Sequence, residues 1–287
     1  MRFHVLIGAL LVAVCACAPI AKAQGLRLVS VYNWPKEAHF LGGFSGIEIS
    51  DAGANLRAIS DRGHLITAKV TRTKGQIEKV ALQSSTALMD QHGKPLTNGF
   101  GDAEGLAIGP GGATYISFEG AHRVTVYDAG RVSALKGNPA FTDLPYNGGI
   151  EALAIDRQGR ILAIPERSGK INSPFPVWRL DETWQIAFHI PRSGGFSPVG
   201  ADIGPDNMLY LLERGFSGFG FVSRLRRFDA QTGENEEQLW QSKIWQYDNL
   251  EGLSVWRDVA DKIRVTMISD DNFNFLQNTQ IVEFVLE

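Results

Sequence analysis

The chain has 287 residues, is 44% hydrophobic and 21% charged, and carries a formal net charge of −3. Such a chain can bury a sizeable core, and without a basic excess it offers nucleic acid no electrostatic footing. Its two cysteines, Cys15 and Cys17, both lie near the N-terminus, so the rest of the chain has no thiol for a disulfide or a thiolate metal site.

In chain order, residues 1–23 read as an export signal. Arg2 supplies a basic start, Val5 to Cys17 an apolar run, and Ala21-Lys22-Ala23 the small-x-small pattern of a cleavage site. Cleavage there leaves residues 24–287 as one periplasmic or secreted domain; lipidation at Cys17 is the alternative reading. No later apolar run approaches the roughly 20 residues of a membrane helix, so no transmembrane span is expected. The next element, Leu26 to Val31, is a strand with no obvious neighbour in sequence.

A repeat then begins. Its opening unit appears as Ser45-Gly46-Ile47-Glu48-Ile49, Glu104-Gly105-Leu106-Ala107-Ile108, Glu151-Ala152-Leu153-Ala154-Ile155, Val199-Gly200-Ala201-Asp202-Ile203 and Glu251-Gly252-Leu253-Ser254-Val255. The spacing, roughly 50 residues, is that of a four-stranded propeller blade. Turns such as Gly109 to Gly112 and Gly204 to Asn207 lead into second apolar strands, a hairpin signal. Third strands ending in aspartate follow at Arg123 to Asp128, Val177 to Asp181 and Arg224 to Asp229, and a fourth at Trp184 to His189. The last repeat holds only three strands of its own, around Leu253, Val265 and Val282. The prediction is therefore an all-β fold: a single β-propeller, five four-stranded blades, with the N-terminal strand closing the last blade. A sixth blade within Ser84 to Phe100 would be too short.

Polar residues gather where first strands begin and second strands end, which is one edge of each blade because adjacent strands are antiparallel. Second strands finish with Asp61-Arg62, Glu119, Glu166-Arg167, Glu213-Arg214 and Asp270-Asp271; openers add Glu104, Glu151 and Glu251, or Glu48 and Asp202 three positions later. Positions one and four of a plain strand face opposite ways, so a single ring requires a bulge near the glycine at position two. So many carboxylates repel one another, and a hard divalent cation would offset that; calcium is favoured over magnesium, and both over zinc or copper. The candidate ligands are Glu48, Glu104, Glu151, Asp202 and Glu251. The same acids could instead pair with Arg62, Arg167 and Arg214 as a structural device repeated with the fold. His64 and His122, just past two strand ends, are candidate proton shuttles. Neither Gly43-Phe44-Ser45-Gly46 nor Gly215-Phe216-Ser217-Gly218 satisfies a nucleophile-elbow pattern.

The motifs Gly43-Phe44-Ser45-Gly46-Ile47-Glu48, Ser60-Asp61-Arg62-Gly63, Asp102-Ala103-Glu104-Gly105-Leu106, Asn249-Leu250-Glu251-Gly252-Leu253 and Ser269-Asp270-Asp271-Asn272-Phe273 resemble the phytase-like family of exported bacterial propellers, over essentially all of Val29 to Glu287. The resemblance implies an esterase or phosphoesterase, and β-propeller phytases imply a calcium-lined, acidic mouth. The scarcity of lysine near the mouth points to an ester smaller than phytate. On this reading a monomeric protein hydrolyses a small anionic ester. Arg62, Arg167 and Arg214 bind its anionic part, and Asp61, Glu166, Glu213 and Asp270 support the metal ligands or act as general base. A non-catalytic binding propeller of the cell envelope and a lactonase-like propeller are the alternatives.

Overall fold

A computed structural model of the chain describes residues 25–36, 38, 40–97, 99–170 and 172–287. The export signal and both cysteines lie outside the described residues. Among the described residues no helix is long and apolar enough to cross a membrane.

Among the described residues, twenty strands form five four-stranded antiparallel sheets. Blade I contains β2 (Phe44–Ser50), β3 (Asn55–Ser60), β4 (His64–Thr73) and β5 (Gln76–Ala87). Blade II contains β6 (Ala103–Ile108), β7 (Thr114–Phe118), β8 (Arg123–Asp128) and β9 (Arg131–Ala134). Blade III contains β10 (Ile150–Ile155), β11 (Ile161–Pro165), β12 (Phe175–Leu180) and β13 (Trp184–Ile190). Blade IV contains β14 (Phe196–Ile203), β15 (Met208–Phe216), β16 (Phe221–Asp229) and β17 (Glu237–Gln241). Blade V takes β18 (Asn249–Arg257), β19 (Ile263–Asp270) and β20 (Gln280–Leu286), and its outermost strand is β1 (Leu26–Asn33), paired antiparallel to β20. The ring is the five-bladed propeller that the repeat predicts, closed by the N-terminal strand. The segment considered for a sixth blade finishes β5 and then turns back through a single bridge between Met89 and Pro95.

Five apolar clusters fill the five interfaces between neighbouring blades. This explains why second strands read as continuous apolar runs. In β15, Leu209 and Leu211 pack toward blade III while Tyr210 and Leu212 pack toward blade V. A strand sandwiched between two blades must be apolar on both faces.

The innermost strands carry one further shared feature. In every blade the first strand gains one residue against the second, at Ser45, at Glu104-Gly105, at Glu151, at Val199 and at Glu251. The small residue that follows lets the inner strands crowd the axis. A Cβ on Gly252 would lie 2.9 Å from the backbone of Gly46 and Ile47, and one on Gly200 would collide with the Glu251 carbonyl.

Candidate functional site

The bulges re-aim position one of each opener toward the axis, since the extra residue is released from the ladder. The result is an inner ring of Ser45, Glu104, Glu151, Val199 and Glu251. Strand register defines a second ring. In blades I, II and III the residue after the second strand, Asp61, Glu119 or Glu166, donates its backbone N–H to the carbonyl of Gly43, Asp102 or Gly149 at 2.8–2.9 Å. In blades IV and V the equivalent pairs are Arg214 with Ser197 and Asp270 with Asn249. The outer ring is therefore Asp61, Glu119, Glu166, Arg214 and Asp270.

Apart from Val199, which packs into the cluster between blades IV and V, both rings open into a cavity of about 540 Å³ at one end of the propeller. Asp61, Asp102, Glu104, Glu119, Glu151, Glu166, Glu251 and Asp270 line it, and among the described residues Arg214 is the one basic side chain that does. Arg214 is held by Glu251 and Asn249 through Nη1, the latter at 2.9 Å, and more loosely by Glu166 through Nη2 at 3.4 Å.

Such crowding changes the acids. Burial, then Glu151 and Glu251, push Glu104 well above the usual carboxylate range, and burial with Glu251 and Glu166 does the same to Glu151. Asp61 is pushed up to about 7 by burial and by Asp270 and Asp102, and Asp270 to about 7 by burial and Glu251. Glu251 is raised by burial, with Arg214 and Asn249 pulling the other way. Oxygens of Asp102, Glu104 and Glu119 all lie within 4.8 Å of one another. Oxygen ligands to calcium sit at about 2.3–2.6 Å, so two on opposite sides of one ion are separated by roughly that distance. The donor set, carboxylate throughout, fits calcium or magnesium.

Of the residues read from sequence as ligands, Glu104, Glu151 and Glu251 come together here. Glu48 and Asp202 do not. They lie toward the other end of the propeller, where Glu48 accepts from Ser254 at 3.3 Å and Asp202 from the Val255 N–H at 2.6 Å. Three residues past the bulge, the strand has carried them away from the mouth. Burial raises both, Asp202 to about 7, and their mutual repulsion adds to the rise in Glu48.

Asp61, Glu166 and Asp270 line the cavity, but Glu213 does not. It pairs with Pro198 one step inside the register, fully buried, and accepts from Arg224 and Arg226 at 2.6–2.8 Å. Arg214 takes its expected place. Arg62 and Arg167 sit one position further out, Arg62 over the Phe273 ring at 3.3 Å and Arg167 beside Glu166 at 3.3 Å. His64 contacts Ser85 at 3.0 Å and His122 the Pro145 carbonyl at 3.0 Å, and neither lines the cavity. Asp102 and Glu119 were assigned no role from sequence. The signal that could have found Asp102 is its place two residues before a bulge, where the other blades have Gly43, Gly149, Ser197 and Asn249.

A family model described as phytase-like, esterase-like activity of phytase, matches residues 39–273. No curated protein matches the chain. Among solved structures, a gluconolactonase from Xanthomonas campestris is 14% identical with a TM-score of 0.47, covering 88% of this chain and 89% of its own. A calcium-binding regucalcin from Agrobacterium tumefaciens is 15% identical with a TM-score of 0.46, covering 85% and 77%. Virginiamycin B lyase from Staphylococcus aureus is 15% identical with a TM-score of 0.40, covering 86% and 71%.

Proposed function

The chain belongs to the phytase-like family, and from that premise we propose that it is an exported, calcium-dependent hydrolase of a small ester. The observation that supports this reading best is the pair of rings, whose seven carboxyl groups, with Asp102 as an eighth and one guanidinium, surround a single cavity. A fold has no need to bury so many like charges at one rim, and a divalent cation offsets the repulsion. Asp102, Glu104 and Glu119 would hold the ion, with Glu151 next to them in the inner ring. When bound, it supplies Lewis-acid polarisation of the ester oxygen and a more acidic water.

The remaining chemistry belongs to the chain's own residues. Asp61 and Asp270, both near 7, are suited to take a proton from an attacking water and return it to the leaving group. Arg214 faces the cavity with its Nη2 only loosely engaged by Glu166. It can donate to the oxygen on which negative charge develops. Among the described residues no lysine lines the cavity, so a polyphosphorylated substrate would meet carboxylates with too few cations to balance it.

The test is calorimetric calcium binding to the metal-stripped protein, followed by a panel of carboxylic esters, phosphoesters and lactones with calcium and with chelator. We expect a site of micromolar affinity or better and hydrolysis that chelator abolishes and calcium restores. Hydrolysis indifferent to chelation would remove the metal from the mechanism; no turnover of any ester, with or without calcium, would remove the hydrolase.

A further inference from the structure

One feature of the cavity is not acidic. In blades I, II and III the second strand ends just before its ring carboxylate, whereas β15 and β16 each run nine residues and stay paired to Phe216 opposite Phe221. This hairpin rises past Arg214 as a wall on one side of the mouth. Phe216 and Phe221 line the same cavity as the carboxylates, with their ring centroids 5.5 Å apart. Phe216 is 65% exposed. The Arg214 guanidinium lies 5.7 Å from the Phe221 ring, so wall and ring residues adjoin.

The wall is also braced. Trp245, itself largely exposed, lies against the hairpin tip, where a Cβ on Gly220 would lie 2.9 Å from the indole. Ser217 closes the turn, donating from both its backbone N–H and its hydroxyl to the Gly220 carbonyl at 3.2 Å. An apolar surface that is open and set against the reacting groups is a recognition surface for an apolar group.

We propose that Phe216 and Phe221 form the acyl- or aryl-binding wall of the site, selecting esters that carry a short alkyl chain or an aromatic ring over acetate-sized ones. This rests on the hydrolase reading, and it names the substrate class. The ester group reaches the carboxylate rings and Arg214 while its apolar substituent lies along the wall.

The experiment has two arms on the calcium-loaded, full chain. The first compares kcat/KM for methyl acetate, methyl butyrate and methyl benzoate, followed by acid release at constant pH; each methylene placed on an apolar surface is worth roughly a factor of four, so a preference of about tenfold for butyrate over acetate is expected. Benzoate against butyrate separates a ring-shaped surface from a chain-shaped one. In Phe216→Ala and Phe216→Glu the preference for the larger esters should fall to about twofold or less, while Val259→Ala, at the opposite end of the propeller, keeps it. The second arm measures binding of N-methylbenzamide, which is not hydrolysed, by saturation-transfer NMR, with N-methylacetamide as reference. Benzamide binding that Phe216→Ala abolishes, in a protein that turns over nothing, would sink the hydrolase and keep the wall. Turnover without any preference for the larger esters, or a preference unchanged in both Phe216 variants, overturns the wall and keeps the hydrolase. A Phe216 variant that changes the sedimentation coefficient and not the preference would make the hairpin a contact between copies of the chain, which also overturns it.

Discussion

Glu213 and Glu104 are both buried glutamates near the end of the same propeller, yet their surroundings give them opposite energetics. Glu213 faces Arg224 and Arg226, so its charge is matched and its oxygens are saturated. Removing its charge takes the buried carboxylate from two guanidinium groups, leaving Arg226 only the part-exposed Glu236 and Arg224 no anion among the described residues. Glu213→Gln should therefore cost about 3–5 kcal/mol, read from the denaturation midpoint, and calcium should not rescue it. Glu104 faces Glu151, Glu251, Asp102 and Glu119. Glu104→Gln should raise the melting temperature of the metal-free protein and weaken calcium binding by tenfold or more; a metal-free variant less stable than its parent would show that Glu104 has a structural partner. The same reasoning gives a pH dependence. Asp61, Asp202 and Asp270 titrate near 7 when folded, against roughly 4 when unfolded. A raised folded pKa contributes stability that is complete below the unfolded value and is lost as pH rises through the folded one. Metal-free protein should thus melt higher at pH 5.5 than at pH 8, by on the order of 5 °C. Calcium competes with the protons, so its stabilising effect should grow with pH. Melting curves with chelator and with calcium check both signs.

At the scale of the strand, the bulge is what turns a blade-forming repeat into a site. Without the extra residue, position one of each opener would stay in the ladder and Glu104, Glu151 and Glu251 would not share a cavity. The bulge in turn depends on the small residue behind it. In Gly200→Ala the new Cβ meets the Glu251 carbonyl, a backbone atom that cannot swing aside. The expected cost is about 1–3 kcal/mol, together with weaker calcium binding as Glu251 shifts. Gly111→Ala, with open space around its Cα, should be neutral within about 0.5 kcal/mol. Equal effects from the two in chemical denaturation would remove the steric argument. The strands also mark how far the sequence could be read. The openers, the blade spacing and most of the acid cluster are legible, because apolar runs and turn residues repeat with the fold. The placement of Glu213 is not. Glu213-Arg214 looks like Glu166-Arg167, but β15 continues past residue 213 where β11 stops at Pro165, and the register moves by one. Glu48 and Asp202 fail for a related reason: their distance from the mouth depends on how far the strand runs after the bulge, which residue types do not encode.

At the scale of the whole ring, the site is assembled from four of the five blades in its carboxylates and from the fifth in Arg214, so its geometry is only as firm as the closure. Closure is the task of β1, which lies outermost in blade V on β20 and also touches blade I, where Ser30 Oγ accepts from the Ile77 N–H at 3.1 Å. Glu283 on β20 adds a buried link to Arg72 on β4 at 2.7 Å. The recurrence of a three-stranded last repeat and an orphan first strand made this closure readable, since an unpaired strand at each end of a ring has one economical partner. Removing Leu26 to Asn33 would leave β20 as an exposed, apolar sheet edge and free blade V to move against blade I. Asp270 in blade V faces Asp61 in blade I across that seam closely enough to raise it. The shortened chain should therefore self-associate through the β20 edge and lose most of its calcium-dependent rise in melting temperature. A synthetic peptide spanning residues 25–34, added in trans, should pair with β20, restore the monodisperse species and return the calcium response. If the shortened chain keeps both its calcium response and its melting temperature within a few degrees, the seam contributes nothing to the mouth, and the rings are held by the bulges and interblade clusters alone.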